Sequence, residues 1–135
     1  MKTSGDIKLF FYNLLKESTL KNEVNGGLYY YGIRPRDSRL EDIIVGYTTS
    51  TAEQVQEGVV TINVHVPDID TFANGQFVEN VQRCNELQQI AQAWVDSITS
   101  RTDYRITLSE PIDTVYDENK QEHVVSIRIY FKVFN

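Results

Sequence analysis

The closing run of the chain, residues 123–134, alternates between apolar and mostly polar positions. One register holds His123, Val125, Ile127, Ile129, Phe131 and Val133, and the other holds Val124, Ser126, Arg128, Tyr130, Lys132 and Phe134. A period of two residues is the repeat of a β-strand and does not fit the 3.6-residue turn of a helix. The run therefore predicts a long strand, which must belong to a sheet whose apolar face is covered by other elements of the chain.

Residues 28–33 form an aromatic-rich segment that is typical of a strand. The segment follows a turn signal at residues 25–27 and is expected to stop near Pro35, because proline disfavours helix at the residue before it. Alternation along the strand places Tyr30 on the face opposite its two tyrosine neighbours. At least one of these rings is expected to be exposed, and Tyr30 is a candidate interface residue.

Two further apolar runs, residues 42–48 and 59–66, flank a polar segment that is too long for a tight turn. They predict an antiparallel hairpin with a long loop. In the second run the even-numbered positions are apolar and the odd-numbered positions are mostly polar, which predicts that only one side of the sheet is covered. Three residues of the polar face are interface candidates: Thr61, Asn63 and His65.

Residues 104–108 alternate again, and Pro111 interrupts the pattern before residues 112–116. A polar segment, residues 117–121, is expected to turn the chain into the closing strand. This part of the sequence therefore predicts a second hairpin.

Two segments have the period of a helix instead. The first covers residues 6–18 and the second, the longest element, covers residues 77–99. The first stripe consists of Ile7, Phe10, Phe11, Leu14 and Leu15, and the second of Val81, Cys84, Leu87, Ala91, Trp94, Val95 and Ile98. Each helix is expected to bury its stripe against the sheet.

The predicted fold is a single α+β domain over residues 1–135 with the order α-β-β-β-α-β-β. It contains a mostly antiparallel sheet of about four to five strands, with two helices packed on one face. A chain of 135 residues has room for one core of ordinary size.

The charge of the chain disfavours general binding to nucleic acids or anionic membranes. Asp and Glu outnumber Lys and Arg by 19 to 13, for a net charge of -6, whereas phosphate binding relies on clustered cations. The first residues lack the apolar run of a secretory signal, and no segment approaches the ~20 apolar residues of a membrane span. We expect a soluble protein in the cytoplasm.

No catalytic, cofactor or metal site is predicted. Cys84 is the lone cysteine and lies on an apolar helical stripe, where a thiol packs as a small hydrophobic group. His65 and His123 lack the spacing of a metal motif. Residues 68–75 resemble a calcium loop, but Phe72 stands where an oxygen ligand is required, so we expect these side chains to form a turn and a helix N-cap. The expectation is a protein that is not an enzyme.

Residues 34–39 hold three arginines beside a proline: Arg34, Arg36 and Arg39. One interpretation is a solvated loop that pairs with Asp37, Glu41 or Asp42. The other is a contact with an acidic partner, since the planar fork of arginine suits carboxylates.

The order of these elements resembles the tail-terminator, or tail-completion, proteins of tailed bacteriophages and prophages, over nearly the whole chain. The resemblance lies in the apolar stripe of the first helix, the tyrosine-rich strand that ends at residues 32–35, the strand through residues 43–45, the polar loop, the valine-rich strand, the helix with Trp94 and the closing strand.

The resemblance implies a structural subunit, without cofactors, that forms a ring-like homo-oligomer, a hexamer in that group, on the tail tube and joins it to the head connector. The implied partners are copies of itself, tail-tube proteins and head-connector proteins, and the implied location is the host cytoplasm or the virion. An acidic ring would not grip passing DNA by its phosphates. The residues leave a second hypothesis open, a non-catalytic module that binds a small molecule or a peptide.

Overall fold

A computed structural model describes residues 1–51 and 54–134, and for residues 48–50 it describes the main chain only. Within this part of the chain, three helices and six strands follow one another. They are α1 (Ser4–Lys16), α2 (Thr19–Glu23), β1 (Leu28–Tyr30), β2 (Ile43–Ser50), β3 (Val55–Pro67), α3 (Val81–Ile98), β4 (Tyr104–Leu108), β5 (Asp113–Asp117) and β6 (Glu122–Phe134).

The six strands form one mixed sheet in the order β1-β2-β3-β6-β4, with β5 also paired to β6. The pair of β1 and β2 is parallel, and the other pairs are antiparallel. Strands β3 and β6 have 13 residues each and pair along their full length. Strands β4 and β5 therefore share the other edge of β6, where β4 pairs with its second half and β5 with its first half.

The helices cover one face of this sheet. Helix α1 begins with a capping box, in which Thr3 and Asp6 each accept a main-chain N–H of the other. The N-cap of helix α3 is Asn80, whose side chain accepts the N–H of Arg83 at 3.2 Å. The apolar stripes of both helices pack on the inward residues of the strands, among them Val60, Ile62, Val64, Ile127, Ile129 and Phe131.

The α+β class is confirmed, but the predicted count and order of elements are wrong. The order is α-α-β-β-β-α-β-β-β, with three helices instead of two and six strands instead of four to five. The short helix α2 has five residues, too few to show a periodic stripe. The chain between residues 104 and 117 forms two separate strands, and Pro111 lies in the break between them.

Several predicted boundaries are also wrong: β1 ends at Tyr30 and not at residue 33, and β2 continues to Ser50. Helix α3 begins at Val81 and not at residue 77, because Val78 pairs instead with Ile69 in an antiparallel bridge. Val81 is consequently 55% exposed, outside the buried stripe. Strand β3 begins at Val55 and not at residue 59, since its polar Gln56 is buried and exchanges two hydrogen bonds of 3.0 Å with the main chain of Lys2.

The face of the sheet opposite the helices is called the outer face below. Thr61, Asn63 and His65 lie on it, as predicted, and each is half-buried. Their cross-strand partners on β6 are Arg128, Ser126 and Val124. The hydrophobic core cluster lies on the helical side, whereas the buried Ile44 and Val124 lie on the outer face.

Candidate interaction surface

A groove of about 900 Å³ lies on the outer face, at the end where β5 joins β6. Its floor comes from the central strands and includes Thr61, Asn63 and Ser126. Its wall is formed by residues 110–119, which include β5 and the start of the turn into β6. The strand order of the sheet thus places polar side chains from three strands around one concave surface.

The wall of the groove carries four carboxylates, and the groove is called the acidic groove below. They belong to Glu110, Asp113, Asp117 and Glu118. Among the described residues Glu110 pairs with Arg128 at 3.3 Å, and both side chains are about half exposed. Asp113 and Asp117 accept main-chain N–H groups at 2.8 and 3.0 Å, and no ion pair joins these two or Glu118 to a described cation.

A buried ionic cluster lies beside the groove, built from Arg34, Asp42, His65 and Glu122. The guanidinium of Arg34 donates to Asp42 at 2.8 Å and to both oxygens of Glu122 at 2.8 and 3.2 Å. Nδ1 of His65 lies 2.8 Å from Oε1 of the Glu122 carboxylate. The side chains of Glu122, Asp42 and Arg34 are 0%, 1% and 9% exposed, so the pairs are held out of water.

Burial and hydrogen bonding act in opposite directions on these groups. Burial raises the pKa of Glu122, but hydrogen bonds from His65 and Arg34 outweigh it and lower that pKa to about 2. The pKa of Asp42 is lowered in the same way, with burial opposed by hydrogen bonds from Ser38, Arg34 and the main chain of Gly27. Both carboxylates are therefore ionised at neutral pH.

Three side chains of this region offer metal-ligand atoms within 4.8 Å of one another: His65, Asp117 and Glu122. The oxygens of Glu122 already accept hydrogen bonds from Arg34, and Oε1 lies within hydrogen-bonding distance of His65 as well. The guanidinium supplies the positive charge that a cation would bring, and it would repel one. We interpret the cluster as an ion network that fixes the end of the sheet.

The three predicted arginines have different surroundings. Arg34 pairs with Asp42, which is one of the intramolecular partners expected from the sequence, and its second carboxylate partner is Glu122. Arg39 is exposed and donates a hydrogen bond to the main-chain carbonyl of Lys120. Arg36 is exposed and makes no ion pair with a described residue.

Arg36, Arg39 and Lys120 line a second concave surface, of about 630 Å³, which is called the basic cleft below. Asp37 is the acidic residue of its lining. Residues 119–121 form one wall, and they belong to the turn that also borders the acidic groove. Lys120 was not a predicted site residue, because its neighbours in space come from a loop 81 residues earlier in the chain.

Tyr30 is the predicted interface residue that lies on the helical side. Its ring stacks on Tyr12 of α1, with 4.8 Å between the centroids, and is half-buried. Tyr31 is the exposed tyrosine of this segment, with 82% of its surface accessible. The expectation that one ring of the run is exposed is therefore confirmed, and Tyr31 is the better interface candidate.

The residues considered for catalysis lie in structural positions. Cys84 is buried in the core as predicted, and burial together with the charges of Glu79, Asp68 and Glu41 raises its pKa to about 11. His123 lies between two carboxylates, with Nδ1 at 2.7 Å from Asp68 and Nε2 at 3.3 Å from Glu79. These contacts join the loop before α3 to the start of β6.

The predicted turn role of residues 68–75 is confirmed, but their predicted N-cap role is wrong, because the N-cap of α3 is Asn80. The carboxylate of Asp70 accepts the N–H groups of Asn74 and Gly75 at 3.1 and 3.0 Å, which closes the loop on itself.

No helix in the described part of the chain combines the length and the apolar character that crossing a bilayer requires. A scan against models of known protein families gives no match, and a search of the curated proteins gives none either.

Proposed function

We propose that the protein is a structural subunit of a phage tail or a related tube assembly, where it terminates the tube and joins it to the head connector through protein contacts. The observation that carries the proposal is the outer face of the sheet. Its central side chains Thr61, Asn63 and Ser126 are only half-buried, and they line an open groove instead of the hydrophobic core. Such a one-sided sheet offers a broad polar surface to another subunit.

Exposed apolar side chains on the loops support the same role. Tyr31, Ile33 and Phe72 are 82%, 65% and 63% exposed. The exposed rings of Tyr31 and Phe72 fit a contact with a partner, because aromatic residues are enriched at protein interfaces. The arrangement of an α+β sheet with helices on one face also agrees with what the resemblance to tail-terminator proteins implies. In the proposed role the protein is not an enzyme and works in the host cytoplasm or the virion.

The proposal is tested by electron microscopy of the purified protein, alone and co-expressed with a tail-tube protein. We expect rings or capped tubes. An Asn63→Arg variant places a bulky charge in the middle of the outer face and should abolish them, whereas Gln89→Arg on the exposed side of α3 should not. Monomers in both preparations of the unmodified protein would contradict the proposal.

The acidic groove favours a second candidate function, the binding of a peptide or small molecule. Its volume of about 900 Å³ lies within the range of ligand pockets, which is roughly 300–1,000 Å³. A ligand that binds only the folded state raises the melting temperature, so a thermal-shift screen separates the two functions. The binding module would be favoured by a ligand that raises the melting temperature of the unmodified protein but not that of Asn63→Arg, together with an absence of rings.

A further inference from the structure

The acidic groove and the basic cleft lie on the two flanks of one turn. Residues 117–119 line the groove, residues 119–121 line the cleft, and Asn119 lines both. Opposite charges of a single chain are therefore presented side by side at one end of the sheet.

Neither concave surface is neutralised within the described chain. In the groove, Asp113, Asp117 and Glu118 lack a cationic partner, and the fourth carboxylate is the one paired with Arg128. In the cleft, three cations face the single carboxylate of Asp37. Like charges gathered on one surface repel each other, and a partner surface of opposite sign relieves that repulsion.

We propose that the acidic groove of one copy binds the basic cleft of a second copy of this chain. The inference rests on the proposed assembly role and names the contact that joins two subunits. A second copy is the occupant that carries both complementary surfaces. Because each copy has a net charge of -6, two copies repel in general, and the local pairing of opposite charges then sets their register.

The residues expected to make the charged contact are those whose side chains water can reach. Arg36 in the cleft and Asp113 and Glu118 in the groove are exposed, and Lys120 is half-buried. Electrostatic contacts of exposed groups weaken with salt, since the Debye length falls below about 5 Å near 0.5 M. Salt also screens the general repulsion between two acidic copies, so association is measured over a range of ionic strengths.

Charge reversal and recombination test the pairing by sedimentation velocity at high protein concentration. A basic-cleft variant carries Arg36→Glu and Lys120→Glu, and an acidic-groove variant carries Asp113→Lys and Glu118→Lys. Each variant alone should associate roughly tenfold more weakly than the unmodified chain, or worse, because like charges then meet. An equal mixture of the two should recover the association, since every contact between unlike copies again joins opposite charges.

Matched controls reverse the same number of charges on or next to the helices, through Lys16→Glu with Lys21→Glu, and Glu17→Lys with Asp96→Lys. These controls should associate like the unmodified chain, and circular dichroism melts should show that all four variants fold. Recovery in the mixture supports the pairing, whether the product is a dimer or a ring.

The inference is overturned if the unmodified chain is monomeric at every salt concentration, if the variants associate normally, or if mixing restores nothing. Variants that lose tube binding while keeping self-association also overturn it, because the surfaces then serve another partner. Rings that persist in both variants overturn the pairing and leave the proposed function intact. Dimers in the mixture without any ring in the unmodified chain contradict the proposed ring and leave the pairing intact.

Discussion

The guanidinium of Arg34 donates two hydrogen bonds to the carboxylate of Glu122, across 88 residues of sequence. A third hydrogen bond from the same group reaches Asp42 at the start of the second strand. The loop after β1 is thereby fastened to the first residue of β6, beside the acidic groove. These buried charges stabilise the fold only as a group, because removing one leaves its partner buried and unpaired.

Replacing Glu122 with glutamine should destabilise the protein by about 3 kcal/mol at neutral pH. The change preserves size but leaves the buried Arg34 with a single carboxylate, and breaking a buried pair costs roughly 3–5 kcal/mol. Urea unfolding followed by the fluorescence of Trp94 measures the difference.

The exposed pair of Arg128 and Glu110 supplies the control. Both side chains are about half exposed, so Glu110→Gln should change the free energy of unfolding by less than about 1 kcal/mol. Equal effects of the two substitutions would show that burial does not strengthen the pair with Arg34.

Acid should remove the contribution of Glu122. Its pKa is lowered from the ordinary value of 4.5 to about 2 in the folded protein, so its stabilisation is complete above about pH 4.5 and disappears as the pH falls towards 2. The difference in unfolding free energy between the unmodified protein and Glu122→Gln should therefore shrink between pH 5 and about 2.5. A difference that stays constant over this interval would contradict the lowered pKa.

The periodic features of the fold could be predicted from the sequence. The stripe of Cys84, Leu87 and Trp94 and the polar face of β3 follow from local spacing, because each pattern repeats within a single element. The start of β3 could not be predicted, since Gln56 is polar and its burial depends on hydrogen bonds to Lys2, far away in sequence.

The candidate site, too, could be predicted from the sequence only in part. The arginine-rich loop is visible in the sequence, and Arg34 lies close in sequence to its partner Asp42. The contacts with Glu122 and Lys120 arise only when the hairpin of β5 and β6 is placed beside that loop, which depends on strand order. Which arginine is buried and which is free to bind a partner is therefore a property of the topology.

The turn before β1 should tolerate no side chain at Gly26. Its N–H donates to the carbonyl of Glu41 at 3.0 Å, and an added Cβ would collide with that main chain and with the carboxylate of Asp42. We expect Gly26→Ala to destabilise the protein by about 1–3 kcal/mol, as overpacking does. The same measurement of urea unfolding applies.

Gly5 in α1 is the matched position. An added Cβ there meets nothing closer than Oγ1 of Thr3 at 3.8 Å, so Gly5→Ala should stabilise the protein by about 0.5 kcal/mol through the helix propensity of alanine. If Gly26→Ala were as stable as Gly5→Ala, the close approach of residues 26 and 41 would not contribute to the fold.

The thiol of Cys84 should be unreactive in the folded protein. Its burial and the neighbouring carboxylates raise the pKa to about 11, whereas an unfolded cysteine ionises near about 8.5, so at pH 8 the folded chain offers at least about a hundredfold less thiolate. A chromogenic disulfide reagent should react slowly with the native protein and quickly in guanidinium chloride. Ser100→Cys in a Cys84→Ala background places a thiol on the surface and should react quickly in both conditions. Fast reaction of Cys84 in the native protein would mean that the core around α3 opens readily. A chemical role for this thiol would then have to be considered again.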